Sequence, residues 1–408
     1  MNCRFCNTTL EQVFIDLINS PASNSFLKEE ELNEPEVYYP LKVFVCHSCF
    51  LVQVDEYKKS DNIFNSEYVY FSSYSSSWLK HASDYCEMMT SRFGLNSSGR
   101  VIEVASNDGY LLQYFLAKGI PVLGIEPTSN TAQVAREKGI ETLVEFFGTS
   151  LGKKLANQQV KADVLLGNNV LAHVPDILDF VGGMKHVLKE DGVITMEFPH
   201  LMQLVENNQF DTIYHEHFSY LSFSTVNKIF ESQGFEMFDV EQLPTHGGSL
   251  RIFAKHKGNN KHQLTPNVES LLKQEREKGM LSQEYYRSFR ERALAIKIAC
   301  LDFLTKQARN QKKVAAYGAA AKGNTLLNYC GIKNDLISYV VDANPNKQNK
   351  YLPGSHIPVV NEEHLKKDKP DFVIIFPWNI KEEITKQLSY IKDWGGQFVI
   401  FIPELQLI

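Results

Sequence analysis

The sequence contains no apolar run approaching the ~18 residues that a membrane-spanning helix requires. Its opening stretch, MNCRFCNTTLEQ, has no apolar signal-peptide core, so a cytoplasmic protein is expected. Neither charge sign dominates: 42 Lys and Arg stand against 48 Asp and Glu, a net charge of −6. That balance argues against a general nucleic-acid binder and against a membrane-surface binder. Neither G-x-G-x-x-G nor G-x-x-x-x-G-K-[ST] occurs, which disfavours a dinucleotide fingerprint and a P-loop. There is no internal repeat and no low-complexity tract. Disulfides are not expected in a reducing compartment.

What is present is ordinary globular material in quantity. The 408 residues, 43% hydrophobic and 22% charged, allow two to three domains, each with its own core. Residues 1–60 read as a small module. A serine-rich turn then enters a helix from about Ser77. From Gly99 to His256 apolar strands such as VIEVAS, PVLGIEP, ADVLLGNN and GVITMEFP alternate with helical patterns, and SLRIFAKH closes the series. That alternation is the mark of βαβ units and a parallel sheet. Residues 257–310 read as a connecting helix pair. A second α/β pattern, KVAAYGAA, LISYVVDAN, PDFVIIFPW and GQFVIFIP, fills 311–408.

The seven cysteines are unevenly placed. Cys3/Cys6 and Cys46/Cys49 form two C-x-x-C pairs with 39 residues between them. Two such turns supply four thiolates for tetrahedral Zn²⁺. A closed four-sulfur site has no open position for substrate, so its role is structural. His47, inside the second pair, is not expected to be a ligand. Cys86, Cys300 and Cys330 read as small buried hydrophobes.

VIEVASNDGYLL is a strand, a loop of small residues and a helix start. Ala105, Ser106 and Gly109 let backbone approach a ligand, with Asn107 in the same loop, and the helix N-terminus offers N–H groups to a carboxylate. Glu103 lies inside the strand end. Glu126, at the end of the next strand, can accept ribose hydroxyls. Asn168, Asn169 and His173 fall at the carboxyl end of a later strand. S-adenosylmethionine, with a ribose and a carboxylate but no phosphate, fits such a site better than a dinucleotide. A nucleotide-binding α/β domain of another kind is the alternative.

Together with the cysteine pairs, the segments YVYFSSYSSSW, EVASNDGYLL, NNVLAHV, IYHEHFSYLS, THGGSLR, YGAAAKGNTLLNY and VDANPNKQNKYLPGSHIPV resemble the nucleotide-sugar C-methyltransferases that act on 4-keto deoxysugars. The resemblance covers nearly the whole chain. It departs where the family has glycine and this chain has Ala105. It implies a zinc-binding module, a central Rossmann-like methyltransferase domain and a second Rossmann-like domain. It also implies methyl transfer from S-adenosylmethionine to a sugar carbon beside a ketone, with the substrate lying between the two larger domains. No nucleic acid, membrane or protein partner is expected.

IYHEHFSYLS raises its own question. In an extended segment His215 and His217 share one face and Glu216 lies opposite, unless a turn breaks the pattern. A metal site, a pair of core histidines and an acid–base apparatus are all open to such a cluster. Removing a proton beside a ketone calls for a base titrating near neutrality, and histidine supplies one. The resemblance implies His217 as that base, Tyr214 and Glu216 near the sugar carbonyl, and His173 as a second polar group. It gives His215 no role. It also implies a substrate contact for Tyr70, although Tyr68 is close enough to be confused with it. His246 and Arg251 of THGGSLR are candidate substrate contacts or parts of a plain bulge before a strand. In the C-terminal pattern, Gly318, Ala319, Lys322, Gly323 and Asn324 could cradle a diphosphate, and Asp342 could hold a nucleoside hydroxyl, unless the loop is only a packing turn. Methylation of an oxygen or of a non-sugar ketone, a nicotinamide-dependent oxidoreductase and a non-catalytic binding protein are the rival readings.

Overall fold

Residues 1–59, 64, 68 and 70–408, which the computed structural model describes, fall into two units. The expected boundary at 60/61 lies outside the described residues. The first unit gathers Met1–Leu10, Cys46–Leu201 and Phe218–Ser282; the second gathers Glu11–Val45, Met202–His217 and Gln283–Ile408.

The first unit is built on a seven-stranded sheet. Its order is Phe235–Leu243, Ser249–His256, Leu188–Pro199, Ala162–Asn168, Val101–Val104, Val122–Ile125, Thr142–Leu143. Only Ser249–His256 runs against the others. From Val101–Val104 the chain steps outward to Val122–Ile125 and Thr142–Leu143, then returns to pair on the other side through Ala162–Asn168. That reversal opens a crevice at the carboxyl ends of Val101–Val104 and Ala162–Asn168, where α/β sheets bind ligands. The helix Ser76–Phe93 covers one face. Ser75 caps it by accepting from the Trp78 N–H, and Gly94 ends it at φ 62°. Its buried stripe, Trp78, Ala82, Tyr85, Cys86 and Met89, follows helical spacing and packs on Tyr110, Leu111, Phe115, Val101 and Phe253.

The second unit carries a six-stranded sheet, ordered Val359–Val360, Val340–Val341, Val314–Tyr317, Phe372–Ile375, Gln397–Ile400, Gln406–Leu407. All pairs are parallel except the last. Here the order reverses between Val314–Tyr317 and Phe372–Ile375, so the loop after Tyr317 opens a second crevice of the same kind.

Two stretches lie elsewhere than a linear reading of the sequence suggests. Of the 39 residues between the cysteine pairs, those from Glu11 to Val45 are grouped with the second unit. They form the antiparallel strands Val13–Ser20 and Tyr39–Val45 of the second unit. Phe14 drives this: its ring stacks on Phe289 at 4.6 Å and meets Tyr286 edge-on at 5.8 Å. The charged helices are divided between the units. Pro266–Glu277 packs into the first unit, and Phe289–Arg309 buries Phe289, Ala293, Ile296, Cys300, Phe303 and Leu304 in the second. Cys86, Cys300 and Cys330 are buried and free, as expected of small apolar residues.

Glu275 explains why Pro266–Glu277 is held. Its buried carboxylate accepts from the Phe223 and Ser224 N–H groups at 2.6 and 2.7 Å and pairs with His200 at 2.7 Å. Burial alone would raise its pKa, but the His200 hydrogen bond and charge outweigh that and hold it below the usual glutamate value. A carboxylate with a depressed folded pKa stabilises above its unfolded pKa, and that contribution is lost as pH falls through the folded value. Glu275→Ala leaves two helix N–H groups and His200 without their acceptor. We expect a loss of about 2–4 kcal/mol in chemical denaturation, and a shallower loss of stability on acidification than in the parent.

Candidate active site

The four cysteine sulfurs, all in the first unit, lie within 4.8 Å of one another. Cys3 and Cys49 are 3.5 Å apart, as are Cys6 and Cys46. Tetrahedral zinc with Zn–S bonds of ~2.3 Å sets its sulfurs ~3.8 Å apart, so the cluster fits that ion and is too open for disulfides. Each C-x-x-C turn closes with a left-handed residue, Asn7 at φ 61° and Phe50 at φ 65°, whose N–H returns to the first cysteine's carbonyl. The Ser48 N–H donates to the Cys46 sulfur and the Gln53 amide to the Cys3 sulfur, which orients both thiolates.

At the crevice of the seven-stranded sheet the loop after Val101–Val104 takes an unusual path. Ala105, Asn107 and Gly109 all have positive φ, at 57°, 49° and 74°. Ala105 therefore occupies a conformation in which glycine is unstrained, the physical meaning of its departure from the family pattern. Gly109 is required by its positive φ, and a Cβ there would also press on Ala135 at 3.2 Å. Glu126 holds this path, since one of its oxygens accepts the Asn107 N–H and the other the Thr128 N–H, each at 2.9 Å. A carboxylate has further lone pairs, so Glu126 keeps capacity for a ribose hydroxyl. Asn107 is committed to a neighbouring segment: its amide accepts from the Ser72 N–H and donates to the Tyr70 carbonyl. The Tyr70 side chain itself is exposed.

Glu103, one residue before the end of Val101–Val104, is fully buried. Burial pushes its pKa well above the ordinary value, and the neighbouring charges of Glu126 and Asp108 add to the effect, while the Tyr110 hydroxyl opposes it. Among the described residues the only cation paired with these three acids is Lys138, 3.7 Å from Asp108. A buried acidic group of this kind suits a cationic ligand, and the ammonium and sulfonium of S-adenosylmethionine answer that need.

On the far side of the crevice, Asn168 donates to the Tyr110 hydroxyl and Asn169, at φ 55°, donates to His246 Nε2 at 2.8 Å. His246 is itself left-handed at φ 54°. The Trp78 ring lies against His246 at 5.0 Å and Tyr110 at 5.9 Å. His173 ends the short 3-10 turn Leu171–His173. Arg251 sits within the strand Ser249–His256, and its guanidinium is engaged by Glu197 at 2.8 Å and Glu241 at 3.1 Å. Burial alone would raise the Glu197 pKa, but hydrogen bonding from His81 and the charge of Arg251 hold it below the ordinary value. Glu197 and His81 were not singled out by sequence reasoning. A lone carboxylate within the apolar GVITMEFP was the available signal for Glu197.

The second unit holds the His-Glu-His segment. A turn breaks the alternation: the His217 N–H closes on the Tyr214 carbonyl at 2.9 Å. The two histidines therefore do not converge. His215 is buried and donates from Nε2 to the Pro40 carbonyl at 3.1 Å, while Glu216 accepts from the Asn24 amide at 2.7 Å. His217 is half-buried, with the Tyr214 ring 4.0 Å from its own. Its Nδ1 is 3.0 Å from the Thr212 carbonyl. A carbonyl only accepts, so Nδ1 carries the hydrogen and Nε2 is the basic nitrogen of the neutral ring.

The helix Ala321–Cys330 is tied to the same segment through Thr325, which donates to the Ile213 carbonyl at 2.8 Å. Lys322, near the start of that helix, donates to Asn379 at 2.8 Å and lies 4.4 Å above the Trp378 ring. Burial lowers its pKa to about 8, although the Asp211 charge pulls the other way. Asp211, which accepts from the Trp378 indole at 2.7 Å, is pushed up to about 6 by burial. Asp211 and Trp378 were also missed from sequence. Asn324 is fully buried with its amide on the Ser23 carbonyl, a packing contact. Gly323 is set by packing as well, since a Cβ would lie 2.7 Å from the Phe376 ring. Asp342 closes the preceding loop by accepting from the Ala319 and Asn344 N–H groups, both at 2.8 Å.

Three family models match the sequence in succession: a zinc-binding domain over 3–64, a methyltransferase domain over 78–240 and a C-methyltransferase C-terminal domain over 244–403. The C-methyltransferase NovU of Streptomyces niveus is 33% identical over 406 residues, covering 100% of this chain and 96% of that protein. A ubiquinone biosynthesis O-methyltransferase of Actinobacillus pleuropneumoniae serotype 5b is 31% identical over 101 residues, 23% of this chain and 43% of that protein. Among solved structures, the PH0226 protein of Pyrococcus horikoshii OT3 aligns with a TM-score of 0.39 at 15% identity, covering 46% of this chain and 95% of that one.

Two outcomes follow from this geometry. Cys3→Ser should lower bound zinc from about one per chain and destabilise the fold, as elemental analysis with thermal denaturation would report. Glu103→Gln should leave the ligand-free protein equally or more stable, because it removes a buried acid without a matched cation. The same change should weaken S-adenosylmethionine about tenfold or more in calorimetry. Unchanged affinity would remove Glu103 from the methyl-donor site.

Proposed function

This chain belongs to the C-methyltransferase family and is an S-adenosylmethionine-dependent enzyme, and from that premise we propose that its acceptor is a 4-keto deoxysugar carried on a nucleoside diphosphate. The methylated atom is a carbon beside the ketone. Methylating carbon requires a carbon nucleophile, and a C–H beside a ketone yields one when a positioned base removes its proton. When bound, S-adenosylmethionine supplies an electrophilic methyl group. His217 is that base. The observation that carries the assignment is its Nδ1–H on the Thr212 carbonyl, which fixes Nε2 as the proton acceptor. His217 Nε2 takes the proton, the C–H electron pair passes into the enolate, and the developing oxyanion needs hydrogen-bond donors. Tyr214, whose ring packs on His217, carries a hydroxyl suited to that task. Glu216, held by Asn24, is assigned to the sugar as well, and His173 is proposed as a second polar group in the reaction.

The nucleotide half of the substrate falls to the second sheet's crevice. Lys322 is a half-buried cation at the start of a ten-residue helix, and an aromatic ring backs it. A diphosphate at that place gains both the ammonium and helix N–H groups. Asp342 organises the loop and retains lone pairs for a nucleoside hydroxyl. Tyr70 and His246 are assigned to the substrate as well, whereas Arg251, held by two carboxylates, serves to fix Glu197 and Glu241.

His217→Ala should lower kcat by roughly 10²–10⁴-fold and leave S-adenosylmethionine affinity unchanged. In deuterated water, with a nucleoside-diphosphate 4-keto deoxysugar as acceptor, the parent should exchange the hydrogen beside the ketone and the variant should not. Exchange and methylation at parental rates in the variant would place the base elsewhere. Equal turnover of the free sugar would remove the nucleotide from the acceptor.

A further inference from the structure

The turn between Cys3 and Cys6 carries Arg4, and each nitrogen of that arginine reaches beyond the sulfur cluster while staying within the first unit. Its backbone N–H and Nε donate to Gln53 Oε1 at 3.0 and 3.4 Å. One terminal nitrogen donates to the Pro175 carbonyl at 3.1 Å and the other to the Val54 carbonyl at 2.5 Å. The guanidinium also lies 5.4 Å from the centre of the Phe218 ring. Gln53, the partner of Arg4, donates in turn to the Cys3 sulfur at 3.2 Å. The sulfur cluster is thus joined through Gln53 and Arg4 to the loop that follows Ala162–Asn168. That loop carries Asn169 and His173 and ends at Pro175, two residues beyond His173.

We propose that Arg4 is a positioning residue that couples zinc occupancy to the order of the 169–175 loop. The argument is geometric. A planar guanidinium fixed by two carbonyls from different segments sets the distance between those segments, which a single-point ammonium cannot do. The Cys3–Cys6 turn closes on itself through the Asn7 N–H, and four thiolates gathered on one centre tie it to the Cys46–Cys49 turn. Without that centre the tie is lost, and the turn that carries Arg4 is less firmly aimed at Pro175. The zinc module then acts on the methyl-transfer domain through one side chain, beyond stabilising its own fold. The consequence for turnover rests on the assignment of His173 to the reaction; the coupling does not.

The test uses the zinc-loaded full-length protein with Arg4→Met and Arg4→Lys. Elemental analysis should find zinc retained in both. Hydrogen–deuterium exchange of a peptide spanning 169–176 should be about tenfold faster in Arg4→Met, as expected for the loss of one or two hydrogen bonds from a locally opening segment. A peptide spanning 162–167 should be unchanged. Arg4→Lys should fall between the two, and it carries the test alone if the methionine variant fails to fold. Chelating zinc from the parent should produce the same acceleration at 169–176, and chelation of Arg4→Met should add nothing there. Equal acceleration by chelation in parent and variant, or an undisturbed 169–176 peptide in both variants, overturns the proposal. A loosened loop with lowered kcat and unchanged S-adenosylmethionine affinity supports both the coupling and the role of His173. A loosened loop with parental kcat supports the coupling and removes His173 from the chemistry.

Discussion

The carboxylate of Glu126 is the point on which the crevice of the seven-stranded sheet depends. It binds the N–H of Asn107 with one oxygen and that of Thr128 with the other, and so ties the loop after the first strand to the loop after the second. The first loop can meet it only by turning left-handed at Ala105, Asn107 and Gly109. Such conformations cost of order 1–3 kcal/mol for a residue with a side chain. Hydrogen bonds to a charged acceptor offset about 1.5–3 kcal/mol each. The clamp and the strain are therefore of similar size. That balance explains how alanine persists at 105, where glycine would carry no strain.

The same loop sets the electrostatics. With Glu126 occupied by backbone, Asp108 turned to Lys138 and Glu103 sealed beneath, three acids share a small volume with one nearby cation. Burial raises the pKa of both Glu103 and Glu126 and so disfavours their charged forms. A cationic ligand beside them favours those forms, and the pyrophosphate of a dinucleotide would disfavour them further. The preference for S-adenosylmethionine thus rests on charge as well as on the missing glycine pattern.

Much of this was legible in the sequence because it obeys local rules. Strand ends, the cysteine spacing and the placement of Glu103, Glu126 and Asn168 follow from periodicity and from βαβ order. The distribution of residues 11–45 and 257–310 between the units was not legible, because it is decided by long-range packing, such as Phe14 on Phe289 and Glu275 on His200. The His-Glu-His segment was half legible. Its composition singled it out, but alternation would have aimed His215 and His217 together. The turn at Tyr214–His217 separated them, giving His215 to Pro40 and His217 to Thr212. Arg251 and Asn324 looked like ligand contacts by residue type, yet their polar groups are engaged by Glu197 and Glu241 in one case and Ser23 in the other.

Lys322 and Asp211 show what sequence distance hides. They are 111 positions apart, yet burial moves each toward neutrality, the lysine to about 8 and the aspartate to about 6. Between those values both stay charged, and each supports the other's charge. The Lys322 charge favours the ionised carboxylate, and the Asp211 charge favours the ammonium, so each opposes the effect of burial on the other. The Trp378 indole, which donates to Asp211, works in the same direction by favouring its charged form. The two residues thus act as one electrostatic pair, joined by packing rather than by sequence.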